Sequence, residues 1–314
     1  MGILYAYLQS FFLCDFSYLI LHADFDISFD KIEILTNVML ISFIIVNYNS
    51  GTLLEECISS IVDVVTFPFE IVVLDNQSTD GSYLFIEELN DKRIVLIKSE
   101  HNLGFAKGNN IAAVHAKGDI LHFINPDAIL NKSIEPDYKR IIENNQDKKR
   151  VFVNRISDEL GKITHSRYLI PTIKNIFKYI FGQNPDYWYL GASIIIYRDF
   201  FEQINGWPED YFMYAEDMDI FYIIYNYGGS VERLNSTVQH IGKGTTKNVW
   251  SEFERLVRVE SSTRLFYKKY KRMWEYYLIV LIFFFYKLFK GYRPILYMKT
   301  VFYANRKANK PHGN

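Results

Sequence analysis

Apolar runs of strand length alternate with helical stretches in the first half of the chain, starting with ISFIIV at Ile41–Val46. Such runs are typical of strands that are buried on both faces of a parallel sheet, and the stretches between them are typical of covering helices. The predicted strands are Ile41–Val46, Glu70–Leu74, Ile94–Ile97 and Asp119–Ile124, and the predicted helices are Leu53–Val65, Ser82–Asn90 and Ala106–His115. The pattern therefore predicts an α/β fold with a mixed, mostly parallel sheet and flanking helices.

The second half is less regular. We predict a strand at Tyr189–Tyr197, a helix at Asp217–Tyr227 and a short strand at Val231–Val238. A charged helical segment from Trp250 to Arg272 then leads into the almost wholly apolar run Tyr276–Tyr286. The C-terminal part is thus predicted to be a helical tail.

Polar clusters follow four of the apolar runs. Singly, each cluster is explained as a turn or a helix cap, and Asp80 before Gly81 is best explained in this way. Together, at the carboxyl edge of one sheet, they indicate a nucleotide pocket. The third cluster also offers backbone N–H groups at a helix start, where a diphosphate can bind. No GxxxxGK[ST] or GxGxxG motif is present. The clusters are Asn47–Asn49, Asp75–Gly81, Asn102–Asn110 and Asn125–Asp127.

Composition and charge add two constraints. Cys14 and Cys57 are the only cysteines, so no disulfide framework or CxxC zinc pattern can form, which fits a reducing cytosol. The net charge of −1 hides an asymmetry, because residues 240–314 hold 16 Lys and Arg against 4 Asp and Glu. This basic tail indicates an anionic partner, and its apolar content favours phospholipid over nucleic acid.

Residues 1–38 form an N-terminal extension. Its apolar stretch Ile3–Ala23 contains Gln9 and Asp15 and has no preceding basic residue, which disfavours both a signal peptide and a membrane span. We expect a poorly ordered or peripheral segment, with the enzyme unit beginning at Met39.

Five motifs in a fixed order carry a family resemblance. They are VNYN, LDNxSTDGS, NLGFAxGNN, NPD and GWPEDYFMYAEDMD, within Ile41 to Thr246. This set resembles the inverting family 2 glycosyltransferases of the GT-A fold, and within them the rhamnosyltransferase-like enzymes of bacterial surface polysaccharides. The resemblance implies a GT-A domain over 39–250, followed by the tail 251–314.

The resemblance also implies a metal site. GT-A enzymes usually hold a divalent cation, Mg²⁺ or Mn²⁺, with a DxD motif, and here Asn125-Pro126-Asp127 occupies that position. Asp127 is then the metal contact, and His240 completes the metal or diphosphate site. A metal-free site stays open as an alternative, since only one carboxylate of the motif is present.

Catalysis by inversion needs a base for the acceptor hydroxyl. Asp217 matches the family's base, and Glu216 lies beside it. A charged helix N-terminus alone explains one acid but not the whole EDxD sequence. Asn47 and Asp75 are expected to meet the base and ribose of the donor, and the later clusters to face its diphosphate. The predicted nucleotide-sugar contacts are Asn47, Asn49, Asp75, Asn76, Asn102, Gly104, Phe105, Lys107, Asn109, Asn110, Asn125 and Lys243.

The run Tyr276–Tyr286 is too short to span a bilayer, and lysines and arginines flank it on both sides. It is typical of an interfacial helix on an anionic membrane; a core-packing helix or an oligomer contact is the alternative.

The sequence and the resemblance together predict an inverting glycosyltransferase that moves a sugar from a nucleoside-diphosphate sugar to a hydroxyl of a glycan acceptor. We expect the acceptor to be a lipid-linked surface polysaccharide and the enzyme to lie at the inner face of the cytoplasmic membrane. Two alternatives remain. A nucleotidyltransferase should carry a basic, Gly-rich loop after the first strand, and a catalytically inactive binding protein should have lost Glu216, Asp217 and His240.

Overall fold

The computed structural model describes residues 39–144, 146–242 and 251–307. The N-terminal extension and Lys243 lie outside this part of the chain. In order, the strands are β1 Ile41–Asn47, β2 Phe69–Asp75, β3 Ile94–Lys98, β4 Ile120–Ile124, β5 Ala128–Ile129, β6 Arg150–Ser157, β7 Arg167–Leu169, β8 Tyr187–Tyr189, β9 Ser193–Tyr197 and β10 Ser230–His240. The helices are α1 Leu53–Val64, α2 Leu84–Leu89, α3 Phe105–His115, α4 Glu135–Glu143, α5 Ile173–Ile180, α6 Arg198–Gln203, α7 Glu216–Asn226, α8 Glu252–Lys269, α9 Met273–Lys290 and α10 Pro294–Lys307.

Eight of the strands form one sheet in the order β3-β2-β1-β4-β9-β6-β10-β5. β1, β2, β3 and β4 are parallel, and β6 and β10 are parallel to each other. β9 is antiparallel to both β4 and β6, and β5 is antiparallel to β10. The sheet is therefore mixed and mostly parallel, with helices on its faces, as the sequence predicted.

Successive strand residues point to opposite faces and feed two apolar layers. Ile44 of β1 joins the layer that contains Ala112 of α3, while Phe43 joins the layer that contains Ile58 of α1. Both layers are closed to water, which explains why the first strands are continuous apolar runs.

The predicted strand Tyr189–Tyr197 is two strands in the structure. Its first residue ends β8, which pairs with β7 in a separate two-stranded sheet, and its last five residues form β9 of the main sheet. The chain leaves strand geometry at Leu190–Ala192, where Leu190 N–H donates to Ser166 O at 3.0 Å. Position 191 thereby reaches the sheet edge that the polar clusters occupy.

The apolar layer behind β9 contains a buried polar chain. His122 Nε2 lies 2.8 Å from Ser193 Oγ, and Ser193 Oγ donates to Asn154 Oδ1 at 2.7 Å. Tyr138 OH lies 2.7 Å from His122 Nδ1. Burial lowers the pKa of His122 to about 3, so the imidazole is neutral and links the strands.

The three C-terminal helices pack on one another and on the sheet domain. Phe266 and Tyr267 of α8, Tyr276 of α9 and Val301 of α10 belong to the same apolar layer as α3. Among the helices described, none is long and apolar enough to cross a membrane.

Candidate active site

The carboxyl ends of β1, β2, β4 and β10 meet at one edge of the sheet. Because β9 runs the opposite way, the residues before it reach the same edge, and Asn125 N–H donates to Ala192 O at 3.1 Å. A cavity of about 580 Å³ opens there, a size typical of ligand pockets. Of the predicted site residues it is lined by Asn49, Asn76, Asn102, Gly104, Phe105, Asn125, Asp127, Glu216, Asp217 and His240.

Asn47 and Asp75 are buried beside this cavity and do not line it. Asn47 Nδ2 donates to Asp75 Oδ1 and to Ser82 Oγ, each at 2.8 Å. Asp75 Oδ2 accepts from Ser78 N at 2.9 Å. The pair joins the loops after β1 and β2. It therefore supports the loops that line the cavity and is not itself placed to contact a nucleotide.

Asn76 organises the loop before α3. Its Nδ2 donates to Asn102 Oδ1 at 3.0 Å, and its Oδ1 accepts from Leu103 N at 2.7 Å. Gly104 then turns the chain at φ +79°, where a Cβ would lie 2.3 Å from Phe212 O. A side chain at this position would force apart the two loops that border the cavity, which accounts for the glycine.

Three residues of α3 that were predicted to contact the nucleotide do not line the cavity. Lys107 is exposed and does not line the cavity. Asn109 is buried, and its Nδ2 donates to Phe105 O at 3.0 Å. Asn110 exchanges hydrogen bonds with the backbone of Trp207, accepting from N at 2.8 Å and donating to O at 2.9 Å. Asn109 is therefore bonded within α3 itself, and Asn110 ties the helix to the backbone at Trp207.

The NPD sequence and His240 form the metal-binding candidate. His240 Nε2 lies 3.2 Å from Asp127 Oδ1 and 3.3 Å from Asn125 Nδ2. Asp127 Oδ2 also accepts from Gly242 N at 3.2 Å. Burial is the largest single influence on Asp127 and opposes its ionisation, but the hydrogen bond and charge of His240 together with backbone N–H donors outweigh it, so the pKa of this carboxyl is lowered.

These residues suit a cation that is held partly by the protein and partly by a bound ligand. Within the described ranges no set of three His, Cys, Asp or Glu side chains is placed to hold a metal. However, Asn125 Oδ1 is buried and has no hydrogen-bond partner among the described residues. Mg²⁺ is commonly held by one or two carboxylates together with substrate phosphates. The donor set of Asn125, Asp127 and His240 suits that arrangement.

Glu216 and Asp217 are the first two residues of α7, and both line the cavity. Gly191 N donates to Asp217 Oδ2 at 3.4 Å and Met218 N donates to Asp217 Oδ1 at 3.0 Å. Burial raises the pKa of Asp217 to about 6. Burial, and then the charge of Asp217, hold the pKa of Glu216 well above its usual range. Glu216 Oε2 has no partner among the described residues. The two adjacent carboxyls therefore titrate as one interacting pair.

The backbone before these acids is strained. Tyr214 and Ala215 both have left-handed conformations, at φ +71° and +69°. Such residues cost about 1–3 kcal/mol each and persist only where the surroundings enforce them. Here α8 does so, since Ser262 Oγ donates to Met213 O at 3.0 Å.

Asp219, the third acid of the turn, faces α8. Its Oδ2 accepts from Lys269 Nζ at 2.8 Å and from Tyr211 OH at 3.0 Å, while its Oδ1 accepts from Tyr270 OH at 2.5 Å. Burial raises the pKa of Asp219, and these hydrogen bonds oppose that rise. Asp219 is fully buried, and its bonds to Lys269 and Tyr270 anchor the first turn of α7 to the end of α8.

Several cavity residues were missed from the sequence. Tyr48, Leu190, Gly191, Met213 and Tyr214 all line it. Tyr48, Met213 and Tyr214 lie inside the quoted motifs, which was a usable signal. Leu190 and Gly191 were hidden in the run predicted as one strand. Asp80 caps its turn as predicted, accepting from Ser82 N at 3.0 Å, and its side chain also borders the cavity.

Comparison with known proteins identifies the class. The model for "Glycosyl transferase family 2" matches residues 42–204. The chain is 29% identical over 107 residues to the "UDP-Glc:alpha-D-GlcNAc-diphosphoundecaprenol beta-1,3-glucosyltransferase WfgD" of Escherichia coli, covering 34% of this chain and 42% of the relative. It is 30% identical over 111 residues to "Glycosyltransferase GlyG" of Streptococcus pneumoniae, covering 34% and 37%. The matches span 24% to 51% of the first curated relatives.

Solved structures match over a larger part of the chain. GalNAc-T7 with UDP, GalNAc and Mn²⁺ has a TM-score of 0.56 at 19% identity, over 75% of this chain and 49% of its own. S. aureus TarS 1–349 with UDP-GlcNAc has a TM-score of 0.53 at 21% identity, over 71% and 65%. At these identities the likeness speaks for the fold, and the predicted GT-A fold is confirmed.

Proposed function

The chain belongs to glycosyl transferase family 2 and is a glycosyltransferase; from this premise we propose that it inverts the donor's anomeric centre, with Asp217 as the base. The observation that carries the proposal is one cavity lined by two unlike pairs of side chains. Asp127 and His240, which lie 3.2 Å apart, form one pair, and Glu216 and Asp217, at the start of α7, form the other. A sugar nucleotide in this cavity would present its diphosphate to the first pair and its sugar to the second.

The chemistry of Asp217 suits a base for a hydroxyl. As the acceptor oxygen attacks C1 of the sugar, its proton passes to the Asp217 carboxylate and the C1–O bond to the diphosphate breaks. A pKa of about 6 makes this carboxylate more basic than an ordinary Asp while leaving it ionised at neutral pH. One displacement assisted by one base inverts the anomeric centre.

Glu216 supports the neighbouring base without competing for its role. With a pKa held far above its usual range, it stays protonated when Asp217 is ionised. Two ionised carboxyls at adjacent positions would repel each other in a buried site. The protonated Glu216 removes that repulsion and leaves the single charge on Asp217.

The part of the cavity lined by Asn125, Asp127 and His240 binds the leaving group in this proposal. We assign Asp127, His240 and the Asn125 carbonyl to a divalent cation, Mg²⁺ or Mn²⁺. When bound, such a cation neutralises charge on the departing diphosphate. GalNAc-T7, which shares this fold, was solved with UDP and Mn²⁺, and this supports the assignment. Asn49 and Asn102 line the side assigned to the nucleotide, where their amide Nδ2 groups can donate to the base and ribose, while Asn76 holds the loop that carries Asn102.

The acceptor we propose is a lipid-linked glycan. Two Escherichia coli relatives are named for acting on GlcNAc-diphosphoundecaprenol, which supports an acceptor of this kind. A lipid-linked acceptor is held at a membrane, so we place the reaction at the inner face of the cytoplasmic membrane. The resemblance to rhamnosyltransferase-like enzymes makes dTDP-rhamnose one candidate donor, and the names of two relatives make UDP-Glc another.

A donor panel tests this function. The purified chain is mixed with dTDP-rhamnose, UDP-Glc, UDP-GlcNAc and GDP-mannose, each with Mn²⁺ or with EDTA, and both thermal stabilisation and nucleoside diphosphate release are measured. We expect one donor to stabilise the protein in a metal-dependent way and to be slowly hydrolysed. Stabilisation by free nucleoside monophosphates alone, with no response to any sugar nucleotide, would contradict the proposal.

A further inference from the structure

Helix α9 has two unlike halves. In the first half, Tyr276, Ile279 and Val280 are buried in the apolar layer of the domain. Glu275 is also buried, and its Oε2 accepts from Ile173 N at 3.0 Å. This half is therefore part of the core, which is the alternative that the sequence left open for it.

The buried face ends at Val280. Phe283 lies one turn after Ile279 on the same side of the helix, yet it is 46% exposed. Leu281, Ile282 and Phe285 are also exposed, and Phe289 is 86% exposed. These residues point to several sides of the helix, so the second half stands clear of the domain with an almost wholly apolar surface.

Helix α10 extends this surface. Val301 and Ala304 are buried on the side that packs on α8. Ile295, Met298 and Phe302 share the other side, at helical spacing, and are exposed. The turn at Gly291–Arg293 joins the two helices. We call the second half of α9 together with α10, residues 281–307, the apolar hairpin.

Charge decides between partners for the apolar hairpin. From residue 276 to 314 the sequence holds seven Lys and Arg and no Asp or Glu. Lys290, Arg293 and Lys299 are exposed within the hairpin. A second copy docked on the same surface would bring like charges together, whereas an anionic phospholipid surface offers both an apolar layer and opposite charge.

We propose that the apolar hairpin docks the enzyme on an anionic phospholipid surface, lying in the plane of the interface. The exposed part of α9, Leu281 to Lys290, is about 15 Å long, half the thickness of the hydrocarbon layer. Lys287 and Lys290 within it keep their charges at the headgroups, and the exposed Tyr286 and Tyr292 suit the same level. The inference adds a membrane contact to the proposed function, and its test does not depend on catalysis.

Vesicle flotation of the full chain tests the proposal. One set of vesicles holds equal parts of phosphatidylglycerol and phosphatidylcholine, and the other holds phosphatidylcholine alone. We expect the protein to float with the anionic vesicles only. The double variant Phe285→Glu with Phe289→Glu should bind roughly a hundredfold more weakly, because each Phe that leaves the apolar layer forfeits about a factor of ten.

Two further variants sharpen the test. Lys290→Gln and Arg293→Gln should each weaken binding to anionic vesicles about fivefold. Leu160→Glu, which adds the same charge at an exposed apolar residue outside the hairpin, should float like the wild type. Donor binding should be unchanged in all these variants, so a failed flotation is separable from a failed reaction.

Three results would overturn the proposal. One is a wild-type chain that floats with neither the anionic nor the neutral vesicles. Another is equal flotation of the Phe285→Glu, Phe289→Glu variant and the wild type. The third is a stable dimer in light scattering that becomes monomeric in that variant, because the hairpin would then be a contact between copies.

Discussion

The first turn of α7 carries acids in two contrasting environments. Asp217 accepts two backbone N–H groups, and the neighbouring Glu216 Oε2 has no partner among the described residues. Asp219, two positions on, accepts from Lys269, Tyr270 and Tyr211. Burial raises the pKa of all three carboxyls, so burial alone does not separate them.

Hydrogen-bond partners make the difference. On the cavity side, Asp217 has two backbone donors only and Glu216 Oε2 has no partner among the described residues, so acceptor capacity remains for a substrate. On the α8 side, Asp219 accepts from three side-chain donors, as buried charges in a structural role require. Within one turn, a reactive acid and an anchoring acid are therefore distinguished by the number and kind of donors that surround them.

The largest expected effect is on the reactive side. Asp217→Asn removes the base but keeps the shape of the side chain, so transfer should fall by about 10²–10⁴. Donor affinity should stay close to that of the wild type, since Asp217 acts on the acceptor. Steady-state transfer and calorimetric donor binding check both halves. Transfer within about tenfold of the wild type would remove Asp217 from the base role.

A change on the α8 side should lower the stability of the protein. Lys269→Met leaves the Asp219 charge buried with two hydroxyl donors, which should cost about 3 kcal/mol of unfolding free energy. Lys268→Met, at the exposed neighbouring position, is the matched control and should change stability little. Urea unfolding of both variants measures the difference. Equal stabilities would mean that α8 does not anchor the catalytic turn.

The pair of Asp127 and His240 gives a metal-dependent effect. Asp127→Ala should weaken binding of the nucleoside diphosphate by roughly tenfold to a hundredfold when Mg²⁺ or Mn²⁺ is present, as for other changes around metal ligands. In EDTA the loss should nearly vanish. An equal loss with and without EDTA would show that Asp127 acts as a direct nucleotide contact.

The smallest effect is expected at Glu216. Because burial and the charge of Asp217 raise the pKa of Glu216 and so favour its neutral form, Glu216→Gln should exchange one neutral group for another, and transfer should change less than about tenfold. The rate should still rise with pH through about 6, where Asp217 ionises. A pH–rate profile checks this. If the acidic limb disappears in the variant, Glu216 is the titrating group and the roles are reversed.

The sheet was predictable because its first strands are buried on both faces. Short continuous apolar runs such as Ile41–Val46 are typical of strands with both faces covered. The predicted ends of the first four strands therefore agree with the observed ends to within a residue or two. β6 escaped prediction because Asn154 and Arg155 interrupt its apolar pattern, and Asn154 is tolerated there only through its bonds to Ser193 and Ser236. Such pairings join distant segments and leave no local signal.

The site was predictable in outline for a similar reason. The carboxyl ends of parallel strands share one edge, which brought Asn49, Asn76, Asn102 and Asp127 to one cavity. The roles of Asn109 and Asn110 were not predictable, since they depend on which side of α3 faces the sheet. The partner of Asp219 was hidden as well, because Lys269 lies fifty residues further along the chain.

The most direct test of the contrast between Asp217 and Asp219 is urea unfolding of Asp217→Asn and Asp219→Asn, side by side at neutral pH. A carboxyl whose pKa rises from 3.8 to about 6 on folding lowers stability as pH rises through that window, so the cost is fully present at pH 7. Asp217→Asn should therefore stabilise the protein by about 1–3 kcal/mol. Burial raises the pKa of Asp219 as well, but Asp219→Asn turns an amide N–H toward a hydroxyl or ammonium donor. We expect the loss of these donor contacts to outweigh the relief of the buried charge and to destabilise the protein by about 1–3 kcal/mol. Opposite signs are the predicted result, and changes of the same sign would contradict the account.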